Sequence, residues 1–146
     1  MILQDQVKIF CYSGLIPFIF IPIISWISPK IAFDYYLILF FFTWSIMMAT
    51  FMAGTLWGLS IKSNKSILSS ISIFSSVLLL SLFIAFNAQN YSILCLFILL
   101  LIYEYIYFSE RILIEKISWY KEIRFHLTFS IRICHLLMIG FIFINQ

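Results

Sequence analysis

Arg132, Glu104 and His135 are the residues here whose types and positions could do chemistry, because each falls inside a long apolar run. A charged arginine near the middle of a membrane span costs ~2.5–3.5 kcal/mol on insertion scales, so Arg132 demands a partner. It lies eight residues past Arg124, or ~12 Å along a helix. Glu104 lies six residues before Glu110, or ~9 Å along a helix. If the two runs are antiparallel neighbours, these depths match and Arg132 meets Glu104. Such a pair either ties two helices together or forms part of a polar site for a ligand, a proton or a lipid headgroup. The third option is that Arg132 snorkels to the interface. His135 follows Arg132 by three residues and so shares its helical face. A histidine there could ligate haem or hydrogen-bond a quinone. His126, the other histidine, is nine residues away, half a turn round and ~13 Å along. The two cannot hold one iron within a single chain, and no cofactor is expected.

The remaining chemistry-bearing residues read more simply. Cys11, Cys95 and Cys134 are far apart and sit in apolar runs, which suits buried small hydrophobes and neither a disulfide framework nor a zinc site. Cys134 adjoins His135, but successive helical side chains diverge, so no metal is expected. Asp34 stands four residues from Lys30, the spacing of an ordinary helical ion pair. No phosphate-binding loop, GxSxG or HExxH occurs, and there is no internal repeat of the kind inverted-repeat transporters carry.

A second pattern concerns small residues. Gly54 and Gly58 form GxxxG with Ala49 preceding them, and Ser69, Ser72 and Ser76 recur at helical spacing in the next run. Small residues at this spacing let helix backbones approach closely in lipid. The expectation is that these two faces pack on each other within the chain, with contact between two copies as the alternative and a ligand's approach as a third.

The elements that must position these residues are membrane helices. The chain has 146 residues, 64% hydrophobic, 20% aromatic and 10% charged, against about 45–50% apolar and ~25% charged in soluble domains. A water-soluble fold of this size cannot hide so much apolar surface. Five stretches reach the ~20 apolar residues that a span needs, at about 7–27, 35–59, 67–86, 91–108 and 125–143. The fold class is all-α, a polytopic transmembrane helix bundle in one domain over 1–146. Gly14, Pro17 and Pro22 lie within the first run, which no A-x-A-like cleavage site follows. Short connections at 28–30, 60–66 and 87–90 make sequential helices antiparallel neighbours. The longer segment 109–124, SERILIEKISWYKEIR, suits either an interfacial amphipathic helix or an extension of the fourth span.

Charge sets orientation. Lys8, Lys62, Lys65, Arg111, Lys116, Lys121 and Arg124 fall on one side and Lys30 alone on the other. The positive-inside rule puts the first side in the cytoplasm, with the N-terminus, and the C-terminus outside. Trp26, Tyr35, Tyr36 and Tyr91 near one interface and Tyr12, Trp57, Tyr105, Tyr107, Trp119 and Tyr120 near the other form the aromatic belts such a bundle carries. The net charge of +3 is spread over loops and does not form a nucleic-acid-binding face. The expected partners are the lipid bilayer and other membrane proteins or a second copy.

Three stretches in order, YSGLIPF at 12–18, FMAGTLWGLS at 51–60 and WYKEIRFHLTF at 119–129, resemble the bacterial membrane family known as domain of unknown function 3429, whose animal relative is transmembrane protein 69. The resemblance covers nearly the whole chain and implies a five-helix protein of the bacterial inner membrane, with the mitochondrial inner membrane as the alternative. It singles out Gly14 and Pro17, then Gly54, Trp57 and Gly58, then Trp119, Tyr120 and Arg124. A histidine usually precedes the tryptophan of the second motif; Leu56 stands there in this chain.

With catalytic motifs absent and small-residue and aromatic faces plentiful, the expected role is a non-enzymatic scaffold, accessory or assembly subunit of a membrane complex. The alternative is a small transporter or channel-like oligomer whose polar path is lined by Glu104, Arg132 and His135.

Overall fold

The computed structural model describes residues 2–114 and 117–145. Among the described residues six helices follow in order: α1 Leu3–Ser13, α2 Leu15–Ile27, α3 Pro29–Asp34, α4 Leu37–Lys62, α5 Leu68–Leu113 and α6 Ser118–Asn145. Among the described residues, five helical stretches are long and apolar enough to cross a membrane: Leu3–Ile27, Leu37–Lys62, Leu68–Asn87, Asn90–Leu113 and Ser118–Asn145. Helices are the natural solution in lipid, because they satisfy each backbone N–H and C=O within the segment.

The first span is two helices. Pro17 has no N–H for the carbonyl of Ser13 and its ring crowds that carbonyl, so α1 ends at Ser13 and α2 begins after Gly14. The break is mild, with Gly14 at φ −64°, ψ −20°. The indole of Trp44, on α4, donates to the Gly14 carbonyl at 3.1 Å. Pro22 sits inside α2 without ending it.

The connection expected at 28–30 is longer than that and contains α3. Pro29 opens this short helix at its first turn, where a fixed φ and a missing N–H are no handicap. Tyr36, at φ 53° and ψ 36°, then turns the chain into α4. Ile31, Ala32 and Phe33 are as apolar as any span, so hydropathy alone could not separate them from it; Ala32 is fully buried.

The reversal expected at 87–90 is made without leaving helix for long. Tyr91 alone departs from helical geometry within α5, at φ −128°, ψ 28°. Its two limbs, Leu68–Asn87 and Asn90–Leu113, run antiparallel: Ile73 and Ser76 line one cleft with Ile98, Leu101, Ile102 and Tyr105. Nor do the described residues of 109–124 form a separate interfacial helix; 115 and 116 lie outside the described residues. The second limb of α5 runs on to Leu113 and α6 starts at Ser118, so both spans are extended and only 114–117 connects them.

Packing follows shape more than hydrophobicity. Helix α4 is apolar all round, so it has no amphipathic stripe to aim inward. Its buried face carries Phe41, Phe42, Ser45, Ala49, Met52, Ala53, Leu56 and Ser60. The same core is completed by Phe18 of α2, Ile73, Val77, Leu99 and Ile106 of α5, and Met138 and Phe141 of α6. Phe20, Phe40, Phe74, Leu79, Phe97 and Leu136 cover the outside, where acyl chains solvate them.

Candidate functional site

Among the described residues three polar constellations stand out, two inside the bundle and one at its edge. The central one is built on His135, which is fully buried on α6. Its Nδ1 lies 2.9 Å from the Ile131 carbonyl, one turn back. A carbonyl can only accept, so Nδ1 carries the proton and, in the neutral ring, Nε2 accepts. Ser45 Oγ, on α4, is 2.8 Å from Nε2 and supplies that hydrogen bond. Tyr103, on the second limb of α5, donates its hydroxyl to the Ser45 carbonyl at 2.7 Å. Phe18, Phe41 and Tyr103 surround the imidazole with ring centroids 5.8, 5.1 and 5.3 Å away. Four helices thus close on one histidine whose two nitrogens are both engaged.

Arg132 and Glu104 meet as a bidentate pair, Nε to Oε1 at 2.6 Å and the terminal nitrogen Nη2 to Oε2 at 2.8 Å. The pair is at the edge of the bundle, with the side chains 39% and 36% exposed. His135 does not join it. The two residues share a helix, but Arg132 turns outward to α5 while His135 turns inward to Ser45. A single Glu104–Arg132–His135 cluster is therefore not what the structure assembles.

Sequence reasoning missed the third constellation. Glu110 and Arg124 form an ion pair, Nε to Oε2 at 2.5 Å, with side chains 0% and 4% exposed. The Thr55 hydroxyl, on α4, sits 2.8 Å from the Met52 carbonyl and 3.1 Å from Glu110 Oε1. Arg124 flanks the fifth apolar run and so reads from sequence as a loop charge; the early start of α6 carries it inside instead. A signal was available. The pair Glu104–Arg132 is centred on residue 118 and the pair Glu110–Arg124 on residue 117, so nearly the same register joins both. Arg124 also borders a cavity of about 260 Å³ between α1, α2, α4 and α6, and its Nη2 is buried with no hydrogen-bond partner among the described residues.

The small-residue faces are placed otherwise than expected. A Cβ built on Gly54 or on Gly58 meets nothing within 4 Å, and both glycines lie on the outside of α4. Ser72 and Ser76 are exposed and Ser69 half-buried; the Ser76 hydroxyl is satisfied by the Ser72 carbonyl on its own helix. The close approach of α4 and α5 runs instead through Ser70, whose hydroxyl donates to the Ala53 carbonyl at 2.6 Å. The spacing was right and the face was wrong, because in a helix apolar all round several faces offer small residues. Lys30 and Asp34 form no ion pair, and no group of metal-ligating side chains occurs among the described residues.

A family model described as protein of unknown function (DUF3429) matches residues 3–140. The chain belongs to this family. No curated protein and no solved structure matches it. In this DUF3429 chain the first and third motif stretches converge in space, since Gly14 and Arg124 both line the cavity just described. Gly54, Trp57 and Gly58 of the second stretch face outward, while Leu56 between them is buried.

Proposed function

We propose that this integral membrane protein is a non-enzymatic scaffold, accessory or assembly subunit of a larger complex in the bacterial inner membrane, with its N-terminus in the cytoplasm. One observation carries the reading. Gly54 and Gly58 form a small-residue face that serves no packing inside the chain, with open space where each Cβ would be. In lipid such a face is where the backbone of another helix can come close. The partner is a membrane helix, from another protein or from a second copy. The polar pairs fit the same role: Arg132 with Glu104 and His135 with Ser45 tie helices to each other.

The alternative, a transporter or channel-like oligomer lined by Glu104, Arg132 and His135, draws less support. Both Glu104 oxygens are engaged by Arg132, and His135 belongs to a different constellation.

The test is the double variant Gly54→Leu, Gly58→Leu, purified in mild detergent beside the unmodified protein. The added side chains meet nothing in the chain's own fold, so thermal stability should stay unchanged while a complex larger than the monomer is lost. An unmodified protein recovered only as a monomer, with no stoichiometric companion, would overturn the reading.

A further inference from the structure

The cavity beside Arg124 has the features of a lipid-binding site. Its volume is about 260 Å³, just below the range of small-ligand pockets, about 300–1,000 Å³, and enough for a headgroup whose tail lies elsewhere. Phe10, Trp44 and Phe51 give it flat walls, and Met47, Met48 and Met52 give it flexible ones that adapt to a ligand's outline. Phe10, Met47 and Phe51 are 61%, 49% and 47% exposed. The cavity therefore opens sideways through the lipid-facing surface between α1 and α4, and a ligand reaches it from the bilayer.

At the other end stands the one charged residue of the lining, Arg124. Its Nε is committed to Glu110, and its Nη2 is a buried donor without a partner among the described residues. A buried N–H that has lost water and gained nothing is disfavoured, and an oxygen acceptor that enters the cavity and draws the Arg124 guanidinium toward it removes that penalty. The acceptor is uncharged. Glu110 already balances Arg124, so an anionic head would bring an uncompensated charge into a low-dielectric interior. The geometry points to a neutral lipid whose carbonyl oxygen accepts a hydrogen bond from Arg124 while its apolar tail leaves past Met47 into the bilayer. Two membrane sources offer this chemistry, the ring carbonyl of an isoprenoid quinone and the ester carbonyl of an acylglycerol.

The experiment measures thermal unfolding of the full chain in dodecyl maltoside, a detergent without a carbonyl. It is titrated separately with decylubiquinone, dioctanoylglycerol and decylbenzene. A ligand that binds only the folded state raises the midpoint saturably. One or both carbonyl compounds should do so, and decylbenzene should not. Whichever carbonyl compound half-saturates at the lower concentration identifies the source. Met47→Trp narrows the mouth without touching Arg124, and Glu110→Leu with Arg124→Leu removes the donor without leaving an orphan charge. Each should weaken apparent affinity about tenfold or more. Equal stabilisation by decylbenzene, no saturable effect of either carbonyl compound, or undiminished binding by Met47→Trp would overturn the assignment.

Discussion

Arg124 and Glu110 form an ion pair that the protein excludes from its surface, with Nε 2.5 Å from Oε2 and side chains 4% and 0% exposed. Thr55 adds a hydroxyl from α4, so this one contact joins α4, α5 and α6 at the end where α5 gives way to α6. Its neighbour along the same two helices, Arg132 with Glu104, has better hydrogen-bond geometry but sits at the bundle's edge. The difference in burial decides how each pair responds to substitution.

For the buried pair, Glu110→Gln leaves the buried Arg124 charge without its carboxylate partner. Removing one member of such a pair costs ~3–5 kcal/mol, and a large fall in the thermal midpoint in detergent is expected. The double variant Glu110→Leu, Arg124→Leu has no orphan charge and should recover much of the loss. A double variant no better than the sum of the single effects would show that the two do not interact.

The Glu104–Arg132 pair should couple in the same sense and less strongly. Once Glu104 is gone, Arg132 can extend along the helix surface toward the interface. The coupling energy from Glu104→Leu, Arg132→Leu and their combination is therefore expected to be smaller than that of the Glu110–Arg124 cycle, measured in the same detergent. Equal or reversed ordering would mean that burial does not set the strength of these pairs.

Ser45→Ala takes away the hydroxyl donor to Nε2 of His135 and leaves a fully buried acceptor empty. Hydrogen bonds between membrane helices average ~0.6 kcal/mol and reach ~1.7 kcal/mol, and this site belongs near the upper end because, among the described residues, Nε2 is hydrogen-bonded to Ser45 alone. His135→Phe combined with Ser45→Ala should be less destabilised than the two single effects together imply. Thermal unfolding of the four proteins reads this directly; strict additivity would remove Ser45 as the partner.

Topology offers an independent check. With Arg124 inside the bundle, the charge count is Lys8, Lys62, Lys65, Arg111, Lys116 and Lys121 against Lys30, and the bias still favours a cytoplasmic N-terminus. Alkaline phosphatase fused after Gln146 should be active, and the same enzyme fused within 60–66 inactive. The opposite pattern would reverse the orientation.

The sequence by itself determined that this chain is a bundle of membrane helices, because length and hydropathy of each run depend only on local composition. It also located the Glu104–Arg132 contact. Two charges at matching depths in consecutive antiparallel spans have few alternatives in lipid, and their register is a matter of counting. The same counting would have paired Glu110 with Arg124 had the start of α6 been known, but helix ends are set by connections such as 114–117, whose length hydropathy reads poorly. Facing was decided only by the tertiary structure. Around α4 nearly every residue is apolar, so no pattern told the Ala53 face from the Gly54 and Gly58 face. Once Ser70 bonded the Ala53 carbonyl, the glycines were left outside. The convergence of α1, α2, α4 and α6 around the cavity at Arg124 likewise depends on residues far apart in the chain. In lipid, apolar surface has no preference for the interior, so shape, hydrogen bonds and buried charge select the packing, and those are properties of the assembled bundle.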